Sequence, residues 1–143
     1  MRIVLDTNVV LSALLWRGTP YQLLESIRQR ADIQLYSSPV LLQELADVLT
    51  RPAATGRLAL VGRSAQQALA DYVDAVNMVE PAVVPRVVPN DPDGDHVVAL
   101  ALAAGADLIV SGDAELLALA RVDTVSIITP ALAIAHISAA KEV

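Results

Sequence analysis

Residues 95–113 read DHVVALALAAGADLIVSGD and contain a helix pattern followed directly by a strand pattern. The Ala- and Leu-rich run from Val97 to Ala104 predicts a helix, and Gly105 is suited to the left-handed conformation that often ends one. Leu108 to Val110 is a continuous apolar run, which is typical of a strand buried on both faces of a parallel sheet. The order helix, glycine, buried strand therefore predicts one unit of an α/β fold.

Short β-branched runs alternate with helical segments along the rest of the chain. Further strands are predicted at Ile3 to Leu5, Ile33 to Tyr36 and Val125 to Ile128. Hydroxyl-capped helix starts are predicted at Thr19-Pro20, Ser38-Pro39, Thr129-Pro130 and Ser64 with Gln67. Glu80 to Gly94, which holds four of the eight Pro, predicts a strand-like stretch followed by a loop. The alternation predicts a three-layer α/β/α domain over residues 1–143, with a mainly parallel central sheet of four to five strands.

Composition narrows the class of protein. A chain of 143 residues that is 55% apolar has the size of one domain with one buried core. The absence of Cys excludes a disulfide scaffold and a thiolate zinc site, and two His exclude a histidine-rich metal site. No apolar run approaches the roughly 18 residues of a membrane span, and Asp6 interrupts the region where a signal peptide needs its apolar core. We therefore expect a cytoplasmic protein without a membrane segment.

Two acidic residues are predicted to converge at one edge of the sheet. Asp6 follows the first strand directly, and Asp113 follows the strand at residues 108–110 after only two residues. Functional groups of open parallel sheets collect outside the carboxyl ends of the strands, so neighbouring strands would bring these carboxylates together. Asp6 has no base beside it in the sequence, and buried charges are usually paired or bound to metal. For Asp113, a turn or helix-cap role is the competing interpretation.

Two further acids lie on predicted helices. Asp95 is in a first helical turn, where capping is the ordinary role of a carboxylate. Glu44 lies at the margin of a buried helical stripe, where it either reaches the rim of a cleft or remains solvated. Carboxylates held together repel one another and recruit a cation, and with one Lys (Lys141) and no Cys the expected cation is Mg²⁺ or Mn²⁺. Such ions can hydrolyse a phosphodiester, which is the reaction that we hypothesise.

The order of these acids along the chain resembles that of a known family. The resemblance is carried by Val4-Leu5-Asp6-Thr7-Asn8, Glu44, Asp91-Pro92-Asp93-Gly94-Asp95, Ala99 to Asp107 and Val110-Ser111-Gly112-Asp113. From Arg2 to about Ile137 the chain resembles a PIN domain, and it is similar to the bacterial or archaeal single-domain PIN proteins grouped with VapC-type toxins of toxin–antitoxin pairs. The resemblance implies a metal-dependent endoribonuclease with RNA as substrate and an antitoxin protein as partner.

The resemblance also implies roles for individual residues. The acidic quartet that holds Mg²⁺ or Mn²⁺ and directs water at an RNA phosphodiester is matched by Asp6, Glu44, Asp95 and Asp113. The polar residues around the quartet are matched by Thr7, Asn8 and Ser111, for which turn and cap hydrogen bonds are an equal alternative. Two acids of the same loop, expected to stabilise the loop or to support the ligands from behind, are Asp91 and Asp93.

The charge balance limits what can be expected of RNA binding. Sixteen acids and ten bases give a net charge of −6, and subtracting four metal-binding acids leaves twelve acids against ten bases. That remainder supplies no basic groove, so we expect weak, metal-dependent RNA affinity helped by homodimerisation. Candidate phosphate contacts in loops or at helix ends are Arg17, Arg51, Arg57 and Arg63. Trp16 and Tyr21 can stack on a base, with packing in the core or an interface as the commoner role.

Two other classes of function remain open at this point. A haloacid-dehalogenase-like phosphatase would use Asp6 as nucleophile, but Asn8 stands where a second acid is expected and no Lys lies in the middle of the chain. A catalytically idle PIN-like module that binds a partner chain would fit the high apolar fraction. Against idleness, an inert module has no evident reason to keep clustered carboxylates, which are electrostatically costly without metal.

Overall fold

A computed structural model describes residues 1–88 and 92–139, and this part of the chain contains six strands and eight helices. The strands are β1 (Arg2–Leu5), β2 (Gln34–Ser37), β3 (Val76–Met78), β4 (Leu108–Val110), β5 (Arg121–Val122) and β6 (Val125–Ile128). The helices are α1 (Thr7–Leu15), α2 (Thr19–Arg28), α3 (Pro39–Leu49), α4 (Pro52–Leu60), α5 (Ala65–Ala75), α6 (Pro92–Ala104), α7 (Ala114–Leu119) and α8 (Pro130–Ala139). None of these helices is long and apolar enough to cross a membrane.

The strands form one sheet in the order β3-β2-β1-β4-β6-β5. All neighbouring strands are parallel except β5 and β6, which are antiparallel. The chain builds outward from β1 through β2 to β3 and then returns to the other side of β1 with β4. This reversal makes the gap between the carboxyl ends of β1 and β4 the switch point of the sheet, where open α/β folds bind their ligands.

Alternating side chains of the central strands point into two separate cores. Ile3 and Leu5 of β1 pack with residues of α1, α2, α3, α4, α5 and α8, whereas Val4 packs with residues of α6 and α7 on the opposite face. In β4, Ile109 lies in the second core and its two neighbours in the first. The predicted three-layer α/β/α arrangement is confirmed, and the continuous apolar runs reflect strands covered on both faces.

Most of the predicted helix ends are confirmed by their hydrogen bonds. The Ser38 and Thr129 hydroxyls each accept from a backbone N–H three residues on, at 3.3 Å. Ser64 forms the predicted capping box with Gln67, with bonds of 3.1 and 2.9 Å. Gly105 has a φ of +63° and ends α6 in the left-handed conformation. At Thr19 the prediction is wrong, because Gly18 is the cap and the helix begins at Thr19 itself.

Three further features differ from the sequence-based expectations. The sheet has two more short strands: β3, which follows α5 without a break, and the two-residue β5. Positive φ angles occur at Ala120, which ends α7 just before β5, and at Asp123 in the turn between β5 and β6; Asp is a residue type that favours this conformation, whereas Ala does not signal it. The strand-like stretch predicted after Glu80 is absent from residues 80–88, where prolines remove ladder donors, and α6 begins at Pro92 rather than after Gly94.

Candidate functional site

The candidate site lies at the carboxyl edge of β1 and β4. Leu5 is paired with Val110 in the parallel register, and the Asp6 backbone N–H donates to the Val110 carbonyl at 2.9 Å. The chain therefore leaves the two strands side by side, with Asp6 next to Ser111. Asp6 is 8% exposed, and although it precedes α1 its side chain makes no capping hydrogen bond to that helix.

Ser111 links the two acidic residues that follow the central strands. Its buried hydroxyl donates to Asp6 Oδ2 at 2.8 Å and accepts from the Asp113 backbone N–H at 2.9 Å. Asp113 in turn caps α7, because its Oδ1 accepts from the Glu115 backbone N–H at 3.0 Å. Asp113 thus makes the cap contact named as its competing role, and it also lies within electrostatic reach of Asp6.

The surrounding chain does not offset the cost of ionising the Asp6 carboxyl. Burial raises the pKa of the Asp6 carboxyl above its usual value, and the charges of Asp113 and Asp93 raise this pKa further. Hydrogen bonds from the Ser111 hydroxyl and the Thr7 backbone N–H oppose these effects without reversing them. Within residues 1–88 and 92–139, Asp6 forms no ion pair with an Arg, Lys or His. A divalent cation would supply the missing positive charge.

Asp95 exposes as little surface as Asp6, but the fold supplies hydrogen bonds to one of its carboxylate oxygens. Its Oδ1 accepts from the backbone N–H groups of Val87 and Val88, both at 2.8 Å. These two bonds hold the pKa of the Asp95 carboxyl below its usual value, and Arg86 and His96 lower this pKa by a smaller amount. The carboxylate thereby fastens residues 87–88 to the first turn of α6.

Glu44 and Asp93 line a second part of the surface. Both border a groove with His96 between α3 and the start of α6, and Glu44 is half-buried there. A separate groove between α1 and α7 is bordered by Asn8 and Asp113. One acid of each groove, Asp113 and Asp93, raises the pKa of Asp6 through its charge. Across the described ranges, however, no three Asp, Glu or His side chains lie close enough together to hold a metal ion.

A comparison with protein-family models shows which family the chain belongs to. The model of the PIN domain matches residues 2–115. The chain belongs to the PIN domain family. A haloacid-dehalogenase-like phosphatase is excluded by this membership.

The PIN domain fold also relates the chain to solved structures. A chain in the crystal structure of VapBC2 from Rickettsia felis, bound to a DNA fragment from their promoter, aligns with a TM-score of 0.62 at 14% identity, over 90% of this chain and 98% of that chain. A chain of FitAcB from Neisseria gonorrhoeae aligns with a TM-score of 0.52 at 19% identity, over 90% of this chain and 97% of that chain. Identities this low speak for a shared fold alone. A search of curated proteins found no match.

The polar residues predicted beside the PIN domain acids fall into three situations. Ser111 and Thr7 are both buried beside Asp6: the Ser111 hydroxyl donates to the Asp6 carboxylate, and the Thr7 backbone N–H lowers the pKa of that carboxyl. Asn8 is exposed and borders the groove of Asp113. Asp93, expected to stabilise its loop or to support the ligands from behind, raises the pKa of Asp6 through its charge. The prediction for Asp91 lies outside the described residues.

Three of the four predicted phosphate contacts of this PIN domain meet in one cleft. Arg17, Arg57 and Arg63 line it together with Arg28, which sequence reasoning missed. Arg28 lies seven residues after Tyr21, so the two share one face of α2, and this spacing was the signal that could have found it. Arg51 is exposed at the N-cap of α4 and does not line the cleft.

Proposed function

We propose that this PIN domain is a metal-dependent endoribonuclease and the toxin of a toxin–antitoxin pair. The observation that carries the proposal is the Asp6 carboxylate, which is buried at the switch point of the sheet, faces two other acids and has no ion-pair partner in the described ranges. A buried charge without a partner is costly to the fold. Its retention is understandable when a cation binds there during function.

The ligand atoms available at this edge are of the chemical type that Mg²⁺ and Mn²⁺ prefer. They are carboxylate oxygens, supported by the Ser111 hydroxyl, and hard cations of this type prefer oxygen ligands. The proposed ligands are the acids of the family resemblance: Asp6, Glu44, Asp95 and Asp113. Asp95 has one oxygen committed to the backbone of residues 87–88, and Asp93 is a further carboxylate available to the same charge. When bound, the ion would activate water and stabilise the leaving oxygen of a phosphodiester.

The residues of the chain have separate tasks in this proposal. Ser111 fixes the orientation of the Asp6 carboxylate and leaves Asp6 Oδ1 for other contacts, as partners behind metal ligands commonly do. Asp95 fixes the start of α6, on which Asp93 lies. The two buried cores hold β1 and β4 in register, which sets the spacing between Asp6 and Asp113.

The biological setting is supported by the solved structures with the same fold. VapBC2 is bound to a DNA fragment from their promoter, and the FitAcB chain has the same fold. By analogy we propose an antitoxin protein as partner of this chain, RNA as its substrate, a homodimer as its working state and the cytoplasm as its location. The partner, the substrate, the homodimer and the location are proposed from fold analogy. The hydrolytic chemistry is proposed from the acidic edge, by which we mean Asp6, Ser111 and Asp113 at the carboxyl ends of β1 and β4.

Cleavage of a mixed RNA population tests the proposed activity. The wild-type protein should cleave RNA in Mg²⁺ or Mn²⁺ and stop when EDTA is added. Asp6→Asn should lower the rate about a thousandfold or more, because it removes the central charge of the site. Asp74→Asn is the matched control, since Asp74 is an exposed acid of α5 and its loss changes the net charge equally. Cleavage that survives EDTA, or an Asp6→Asn protein as active as the control, would disprove the proposal.

The idle interaction module remains a second candidate because the acids of the described ranges do not form a group of three at one point. Metal binding and cleavage separate the two functions. Mn²⁺ at 100 times its dissociation constant should stabilise the folded protein by about 2.7 kcal/mol in either case. Stabilisation together with cleavage supports the nuclease, whereas stabilisation without cleavage of any RNA supports the module.

A further inference from the structure

A cleft with a strongly positive lining lies at the far end of α1 from the acidic edge. It is formed by the last residues of α1, by α2 and by the end of α4, and its polar lining is Trp16, Arg17, Tyr21, Arg28, Arg57 and Arg63, with Glu25 as the acid among them. Four arginines thus surround one carboxylate in a protein whose net charge is −6. Such a local excess of positive charge attracts an anion.

Two of the four guanidinium groups are paired with acids and two are not. Arg28 lies 3.8 Å from Glu25, and Arg63 forms an ion pair with Asp71. Arg17 and Arg57 have no carboxylate partner in the part of the chain that the structure describes. The uncompensated charge of the cleft therefore belongs to Arg17 and Arg57.

Both unpaired arginines are held in place by aromatic rings. The Arg17 guanidinium stacks 4.5 Å from the Tyr21 ring centre and donates to the Tyr21 hydroxyl at 2.6 Å. The Arg57 guanidinium stacks 4.2 Å from the Trp16 ring centre, and its Nε donates to the Leu15 carbonyl at 2.8 Å. Each guanidinium has five N–H donors, so several remain for a ligand oxygen.

Trp16 offers a second kind of contact in the same cleft. Its side chain is 55% exposed although Arg57 covers one of its faces. An exposed indole next to a fixed guanidinium matches the two parts of a nucleotide, since bases stack on aromatic rings and phosphates bind arginine. An acidic peptide would use the arginines but would supply no ring for the indole unless it carried one.

The position of the cleft relates it to the acidic edge. Helix α1 begins beside Asp6 and ends beside Trp16, so at 1.5 Å per residue the two residues lie about 15 Å apart along the helix. At about 3.4 Å per stacked nucleotide, this is the length of roughly four nucleotides of one strand.

We propose that the cleft between Trp16, Arg17 and Arg57 binds a nucleotide of single-stranded RNA several positions away from the phosphodiester that is cleaved. The phosphate contacts the two unpaired guanidinium groups, and the base stacks on the open face of Trp16. This inference rests on the proposed endoribonuclease function and gives the substrate a second point of attachment. It also explains how a protein with a net charge of −6 can retain an RNA strand.

The fluorescence of Trp16 tests the proposal directly, because Trp16 is the only tryptophan of the chain. A ten-nucleotide oligouridylate is titrated into the wild-type protein in EDTA, where the proposed hydrolysis does not occur. We expect saturable quenching with a dissociation constant of about 10⁻⁴ M at moderate salt. The double variant Arg17→Gln/Arg57→Gln should bind at least about tenfold more weakly. Arg121→Gln, which removes an exposed charge on the edge strand β5 and outside the cleft, should bind within twofold of the wild type.

The outcomes separate the cleft from the proposed function. Absence of quenching, or equal quenching in the double variant and in Arg121→Gln, overturns the cleft proposal even if RNA is cleaved. Quenching that depends on Arg17 and Arg57 in a protein that cleaves no RNA supports the cleft and defeats the nuclease. If cleavage occurs, the double variant should raise KM about tenfold at unchanged kcat. A ten-residue oligoglutamate that binds as tightly as the RNA would overturn the assignment in favour of an acidic protein partner.

Discussion

Asp6 and Asp95 both expose little surface, at 8% and 7%, yet their carboxyl pKa values shift in opposite directions, because burial is the largest cause at Asp6 and backbone hydrogen bonds are the largest cause at Asp95. Around Asp95 the chain supplies two backbone N–H donors at 2.8 Å, and these replace the water that burial removes. Around Asp6 it supplies one hydroxyl, one N–H and two further negative charges. Burial alone therefore does not mark a reactive carboxylate, because the fold can satisfy the charge with its own donors.

The difference assigns distinct tasks to the two residues. Asp95 uses its Oδ1 to fasten residues 87–88 to α6, so the fold already compensates part of its charge and Oδ2 is the oxygen left for the proposed ion. Asp6 is uncompensated within the described ranges, and a ligand cation is the partner that we propose. The three predictions below test this contrast by changing one residue at a time.

The largest expected difference is in RNA cleavage. Asp95→Asn should lower kcat by only about 10- to 100-fold, a loss as small as that of a partner behind a metal ligand, because the asparagine oxygen can still accept from residues 87–88. Asp6→Asn should lose at least about a thousandfold, as proposed above. Rates of the two variants in saturating Mn²⁺ measure the contrast. Equal losses of cleavage rate in the two variants would contradict the contrast and would mean that Asp95 contributes to the site as directly as Asp6 does.

A smaller effect of opposite sign is expected in thermal stability without metal. Asp95→Asn should lower Tm by about 5 °C, because two charge-assisted hydrogen bonds become neutral ones. Asp6→Asn should leave Tm unchanged or raise it, since a neutral amide removes both the buried charge and its repulsion by Asp93 and Asp113. Melting in EDTA at pH 7, with Asp74→Asn as reference, gives both values. A destabilised Asp6→Asn protein would mean that the fold already compensates Asp6.

The position of the acidic edge could be predicted from the sequence, but the separate roles of its carboxylates could not. Two apolar runs, at residues 3–5 and 108–110, identified the neighbouring strands, and the rule for parallel sheets brought Asp6 and Asp113 together. The donors to Asp95 could not be predicted, because the backbone N–H groups of Val87 and Val88 have no signature in residue type. An apolar side chain does not reveal where its own amide points.

The prediction of secondary structure from the sequence was limited in the same way, because some elements depend on contacts between distant residues. Long helices with hydroxyl caps were predictable because capping is a local interaction between residues close in sequence. Strand β3 has three residues and continues directly from α5, so neither a turn nor an alternating pattern separates it. Its existence depends on pairing with β2, whose paired residues are 41 positions away in the chain. Arg28 entered the cleft for a similar reason, since contacts between helices are set by packing.

The smallest expected effect is a difference in how pH changes the stability of the two variants in EDTA. Because the folded-state pKa of Asp6 lies above the usual value of 3.8, the native state holds this proton more tightly than the unfolded chain does. The contribution of Asp6 to stability is therefore lost as pH rises from about 3.8 through the raised pKa. Relative to wild type, Asp6→Asn should become steadily more stable over that range and then level off.

For Asp95 the folded-state pKa is lowered, so its contribution to stability is present above about pH 3.8 and is lost as pH falls through the lowered value. The deficit of Asp95→Asn should accordingly shrink in acid, and urea titrations from pH 3 to pH 7 would record both trends. Parallel curves for the two variants would show that the carboxylates are equivalent in the folded protein.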